Sequence, residues 1–295
     1  MYYFNIALVG LCFQLLTIQN SQSIELEKHG FEFKSFDYGQ KTVTSICLSE
    51  QQQFLRYEAN LNMPVCDDNL CANLIVKVYW DLAGNYSGFD TLAGKSLTKF
   101  DHRPFTAADY QKLDEILSDK NSILRVLAKD ELTDKSVKLK SSTVDAVTGA
   151  TPASVKEQVV EGAVYSVFTL WHFINGQIKD SIQHFTKSIF SDKLAKQMLL
   201  SSNYETQLFA LRLVADSFYE SNLSLIFDSM RKSSPLVRAF ILNKIPLPFS
   251  NPENNKAFAS LYVELDSYSK SIFRQRMATS KAIADIFIPL VDKGN

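Results

Sequence analysis

The chain has 295 residues, a formal net charge of −1, 46% hydrophobic residues and 21% charged ones. That length accommodates a sizeable core and favours two domains over one, and the composition excludes a disordered chain. The near-neutral charge gives no electrostatic footprint for nucleic acid, so no nucleic-acid partner is expected.

The N-terminus reads MYYFNIALVGLCFQLLTIQNSQS, with an apolar run from Ile6 to Ile18 interrupted by Gln14. The run is too short for a transmembrane helix and fits the hydrophobic region of a secretion signal. Ser21 and Ser23 supply small residues for cleavage after Ser23, although the usual basic stretch is missing. Bulky Leu11 before Cys12 argues against a lipid anchor. Residues 1–23 are therefore expected to be a signal peptide, and the mature chain to be exported to the periplasm or cell envelope. Cleavage leaves Cys47, Cys66 and Cys71. CDDNLC brings Cys66 and Cys71 close enough to bridge a turn, which an oxidising compartment permits; two free buried thiols account for the pair equally well. No second cysteine pair and no suitably spaced histidine pair completes a zinc site, so no metal is expected.

Residues 24–60 show no clear periodicity, and 24–64 stands as an N-terminal segment of unassigned role. Leu74, Val76, Val78 and Trp80 alternate with Ile75, Lys77 and Tyr79, which predicts a strand, and LAGN (82–85) turns it into a hairpin. PFTAADYQKLDEIL starts a helix with Thr106 as N-cap and Asp109 three residues on, and NSILRVLA adds a second helical piece. LKSSTVDAVTGA reads as a loop, with a strand near Val137–Leu139. From Pro152 the spacing of Val155, Val159, Ala163, Val167 and Leu170 predicts one helix closing at Gly176. Gly162 inside it costs about 1 kcal/mol relative to alanine. No glycine lies between Gly176 and Gly294, and that stretch reads as short helices joined by polar turns. A HEAT-like stack and a compact bundle both fit, because no strict sequence period separates them.

Most catalytic signatures are absent. GFDTLAGKS (88–96) resembles a phosphate loop, but its glycines are one residue too far apart for the backbone N–H groups to curl around phosphates. His29, His102, His172 and His184 form no metal-binding pair, and no nucleophile elbow occurs. His102 in TKFDHRPF reads as a surface or structural histidine.

VDAVTGATPAS (144–154) carries more. Thr151 can cap the next helix, Pro152 suits its first position, and the N–H groups of Ala153 and Ser154 would face an anion at Thr151. Gly149 permits a tight turn ahead of it. The seven residues Asp145-Ala146-Val147-Thr148-Gly149-Ala150-Thr151 resemble the flavinylation motif of FMN-binding domains, D-(G/A)-x-(S/T)-G-A-T, and agree with it at every position. That family includes flavin subunits of the sodium-pumping quinone reductase and of the Rnf electron-transport complex. The resemblance covers residues 65–178. It implies FMN joined through its phosphate to the Thr151 hydroxyl, with Asp145, Thr148, Gly149 and Ala150 forming the loop that a flavin transferase recognises. No membrane anchor of the kind those respiratory subunits carry is found, so the domain is implied and membership of those complexes is not. Trp80, Phe89, Phe105 and Trp171 are candidates to shield the flavin ring, or simply core.

The expected architecture is an α/β (α+β) FMN-binding domain at 65–178 followed by an all-α domain at 179–295, HEAT-like or a bundle. The expected function is that of an exported electron-transfer flavoprotein or FMN-dependent reductase component. Its partners would be the flavin transferase and a redox protein, with peripheral association at the outer face of a membrane. The alternative is a helical-repeat interaction scaffold whose flavin motif is non-functional.

Overall fold

The computed structural model describes residues 34–38, 41–47, 55–65, 73–92, 94–99, 102–132, 134–140, 147–150 and 153–292. The expected signal peptide and both Cys66 and Cys71 lie outside them. The chain divides into two compact units, residues 1–185 and 186–295, the first α+β and the second all-helical among the described residues.

The first unit is built on a five-stranded antiparallel sheet in sequential order. Its strands are β1 (Lys34–Tyr38), β2 (Lys41–Cys47), β3 (Leu55–Met63), β4 (Leu74–Trp80) and β5 (Tyr86–Thr91). β3 reads LRYEANLNM, a strict alternation of apolar and polar side chains. Its register sets Tyr57, Ala59 and Leu61 opposite Trp80, Val78 and Val76, and all six are buried on one face. The segment without an assigned role, 24–64, thus supplies three strands, β1 to β3, to the sheet of the predicted hairpin.

The turn of that hairpin also anchors a helix. Asp81 is buried, and its Oδ1 accepts the N–H groups of Ala83 and Asn85 at 2.9 Å each, an Asx-type turn. Gly84 has φ +77°, and a Cβ there would come within 3.0 Å of the Lys179 carbonyl oxygen, so the close approach requires glycine. Lys179 Nζ donates to Asn85 Oδ1 at 2.8 Å and Gln183 Nε2 to Ala83 O at 3.0 Å.

Helix α1 (Ala107–Ser118) starts as the sequence predicts, with a capping box between Thr106 and Asp109. The Thr106 N–H, ahead of the neighbouring Lys99, holds the Asp109 carboxyl below the usual range. The second helical piece is a 3-10 turn, Ile123–Arg125. A two-stranded ribbon of β6 (Asp134–Lys140) and β7 (Val147–Ala150) comes next. Three helices then complete this part of the chain: α2 (Ala153–Lys156), α3 (Val164–Asn175) and α4 (Ile178–Ser188).

The single helix expected from Pro152 is therefore two. Gly162, in the break, has φ +75°, a left-handed conformation that no α-helical residue adopts. Val155, Val159, Val160, Ala163 and Val167 are all buried nonetheless. The apolar spacing survives across a non-helical turn, which is why it imitates a continuous helix. α3 does end at Gly176.

The second unit comprises α5 (Asp192–Leu199), α6 (Tyr204–Leu213), α7 (Asp216–Ser221), α8 (Leu223–Lys232), α9 (Pro235–Lys244), α10 (Pro252–Glu264), α11 (Ser267–Thr279) and α12 (Lys281–Asp292). They pack in two layers: α5, α8, α10 and α12 side by side in one, α6, α9 and α11 in the other. Equivalent core positions recur every 32 residues. Leu194, Ile226 and Phe258 are buried in the first layer, followed by Met198, Met230 and Tyr262, with Phe209, Ile241 and Phe273 in the second. Three helix pairs thus repeat one another, although no sequence period announces it.

Asp266 ties adjacent pairs together. As N-cap of α11 its Oδ1 accepts the Ser269 N–H at 3.0 Å, and its Oδ2 accepts the Ser269 hydroxyl at 2.6 Å and Arg238 Nε at 3.0 Å. These donors, the Ser269 hydroxyl foremost, push its carboxyl down to about 2. A carboxyl with a depressed folded-state pKa stabilises fully above its unfolded value of about 3.9. That contribution fades as pH falls toward about 2. Asp266→Ala is expected to cost about 1 kcal/mol at pH 7. Asp266→Asn keeps the cap, so it should cost less at pH 7 and abolish this part of the acid sensitivity. Urea denaturation at neutral and acid pH measures both.

Candidate functional site

The motif resembling a flavinylation sequence falls at the β6–β7 ribbon. Thr148, Gly149 and Ala150 belong to β7, so this part is a strand where a loop was expected. Thr148 pairs with Leu139, Gly149 with Lys138 and Val147 with Lys140, and the register shifts between Asp134 and Lys138. The backbone groups of a ladder find partners in the neighbouring strand, which a free loop of the same residues would not provide. β6 carries three lysines in seven residues, Lys135, Lys138 and Lys140. Asp145 and Thr151, the two ends of the motif, lie outside the described residues.

The segment after Thr151 is firmly held. Lys112 Nζ of α1 donates to the Lys156 carbonyl at 3.3 Å, and Ser122 Oγ donates to Gln158 Oε1 at 2.9 Å. Val155, Val159 and Val160 are buried beside them. Beyond the break, α3 satisfies carbonyls at the end of α1 that the helix leaves unpaired. Asn175 Nδ2 donates to Leu117 O at 3.1 Å and Trp171 Nε1 to Asp119 O at 3.0 Å. His172 Nε2 donates to Leu124 O at 2.9 Å. Because α2 has only four residues, its macrodipole is that of a single turn, and its N–H groups have no partners within the helix.

The aromatic candidates are used internally. Trp80 is fully buried, donates its indole N–H to Ile174 O at 3.2 Å and packs against Phe173. Trp171 is buried as well, and Phe105 packs against Tyr110. Phe89, half-buried, meets the same tyrosine ring. His102 is exposed, with φ +60°, in keeping with a surface loop.

A polar network on the face of the sheet opposite the apolar core is not foreseen from the sequence. Arg56 lies 3.6 Å above the ring of Tyr79, whose hydroxyl donates to Asp90 Oδ2 at 2.5 Å, and Lys77 pairs with Glu58 at 3.1 Å. Burial, and after it Asp90, raises the Tyr79 hydroxyl well above its ordinary pKa. At the start of β5, Tyr86 is raised by burial and by its hydrogen bond to Asp114. The alternation of β3, with Arg56 and Glu58 at every second position, is the signal that would have exposed this face. Its chemistry is cross-strand pairing that fixes register.

Among the described residues no cluster of three or more histidine, cysteine or acidic side chains could hold a metal ion. None of their helices is long and apolar enough to cross a membrane. No protein-family model, curated protein or solved structure matches the chain.

Proposed function

We propose that this chain is an exported flavoprotein that carries FMN through a phosphoester at Thr151 and passes electrons between redox partners. The observation that carries the reading is the seven-position agreement of Asp145–Thr151 with the flavinylation motif. Two features support it: the ladder register that sets the cationic residues Lys138 and Lys140 opposite Gly149 and Val147 of the motif, and first-turn N–H groups beginning at Ala153. Thr151 would hold the group through its Oγ, as a phosphoester made by the flavin transferase. When bound, the isoalloxazine supplies the redox chemistry. The protein's part is to tether the phosphate and orient the ring, and outside the cytoplasm a covalent tether removes loss by dissociation. The second unit is read as a HEAT-like repeat that receives a protein partner, and peripheral contact with the outer face of a membrane belongs to the same proposal.

Intact-mass measurement of the full chain co-expressed with a flavin transferase tests this. The expected result is a species beginning at Ile24 and heavier by one FMN less one water, with the increment absent from Thr151→Ala. No increment, or an increment that survives Thr151→Ala, refutes the flavin reading. The second reading, an interaction scaffold with a non-functional motif, draws on the three repeated helix pairs. It requires the protein purified from its own cells to be colourless, whereas the flavoprotein is yellow.

A further inference from the structure

The two layers of the helical unit differ in charge. Helices α6, α9 and α11 carry six cations, Arg212, Arg238, Lys244, Lys270, Arg274 and Arg276, against the single carboxylate Glu205. Helices α5, α8, α10 and α12 carry six of each sign. Some of the cations brace the fold: Arg238 pairs with Asp266, and Arg276 donates to the Leu242 and Ile245 carbonyls. Arg212, Lys244 and Arg274 are exposed. On the same layer the 32-residue repeat aligns three exposed apolar side chains near the helix starts. These are Tyr204 at 40% exposure, Leu236 at 58% and Tyr268 at 55%. Such a periodic apolar row, with the exposed cations Arg212 and Lys244 about 12 Å farther along the same helices, is unusual for a merely solvated face.

We propose that this layer binds an extended acidic peptide segment bearing a large apolar side chain at every third residue. Neighbouring helices of a layer lie about 8–10 Å apart, and an extended polyproline II segment has about three residues per turn and rises about 3.1 Å per residue, so every third side chain points the same way. Every third side chain therefore meets the next helix, where Tyr204, Leu236 or Tyr268 covers it. The carboxylates between face a layer whose net charge is positive, which steers encounter and fixes orientation. Single-stranded nucleic acid matches the cations but not the row, because Leu236 offers no π-face for a base to stack on. The inference stands on the helical unit alone and is independent of the flavin reading.

Fluorescence anisotropy with the full chain tests it. The probe is a labelled peptide of Phe-Glu-Glu repeats, about twelve residues long. It is compared with Phe-Lys-Lys and Gly-Glu-Glu repeats and with a single-stranded RNA of similar length. The acidic apolar peptide is expected to bind saturably, and rising salt should weaken it. Binding should fall at least about tenfold in the triple variant Tyr204→Ser, Leu236→Ser, Tyr268→Ser, and equally in Arg212→Glu with Lys244→Glu. All five positions are exposed, so far-UV circular dichroism of the variants should match the parent. The proposal fails if the Phe-Glu-Glu peptide does not bind, if either control peptide binds as tightly, or if the RNA displaces it. It fails also if folded variants bind unchanged. The peptide and RNA comparisons on the parent protein decide the matter even if a variant does not fold.

Discussion

Phe258→Ala is expected to lower the unfolding free energy of the helical unit by about 3–5 kcal/mol. Phe258 is fully buried on α10. Its ring meets Phe273 at 5.1 Å and Phe287 at 5.4 Å between centroids, with Phe227 and Phe249 at 6.1 and 6.2 Å. The inclined and edge-to-face geometries add to the area term, and one truncation forfeits contacts to four rings. No single neighbour can collapse into the cavity without leaving its own partners. Since a domain's whole stability is about 5–15 kcal/mol, the variant should be close to unfolding. Urea denaturation followed by far-UV circular dichroism is the measurement. Tryptophan emission gives a separate signal, because both indoles of the chain, Trp80 and Trp171, lie in the first unit. A loss below about 1.5 kcal/mol, the range of volume-conserving swaps, would show that the aromatic cluster contributes far less than its burial implies.

Trp80→Ala is expected to be at least as damaging to the first unit, by about 3–5 kcal/mol for the lost ring and about 1–3 kcal/mol more for the Ile174 carbonyl left without a donor. The side chain sits at the end of β4 opposite Tyr57, packs against Phe173 and reaches α3 through its N–H. It therefore joins the sheet to the helix at two points. Trp80→Phe separates the contributions, keeping much of the apolar volume and losing the hydrogen bond. It should cost clearly less than alanine. If phenylalanine and alanine destabilise equally in urea denaturation, the packing contribution assigned to the ring is wrong.

The parts of the fold that were legible are those where one local rule decides the outcome. β4 alternates because one face is buried, α1 starts where Thr106 and Asp109 reciprocally cap, and Gly176 closes α3. The interrupted helix was not legible, because a turn around Gly162 can keep Val159, Ala163 and Val167 buried at helical spacing without a helix. The sheet of residues 34–63 was missed despite the alternation of β3, since Arg56, Asn60 and Asn62 dilute its apolar content. The 32-residue repeat is hidden for a different reason: equivalent positions preserve burial throughout and identity only in part. Leu194, Ile226 and Phe258 differ in every letter, and Met198 and Met230 match where Tyr262 does not. At the candidate site, motif agreement picks out Thr151, but the pairing of Gly149 with Lys138 depends on where another strand lies, which no local pattern encodes.

The layered arrangement of α5 to α12 bears on how that half of the chain reaches its native state. Each helix leans on its sequence neighbour or on the equivalent helix of the adjoining pair. Most contacts therefore close short loops, and the entropy lost before the first of them forms is small. Folding can nucleate in any pair and spread in either direction, as in a one-dimensional lattice with nearest-neighbour coupling. Opening should proceed from an end inward. The amide protons of α12, which has a neighbour on one side only within its layer, should exchange with solvent before those around Ile241 in α9, which is flanked by α6 and α11.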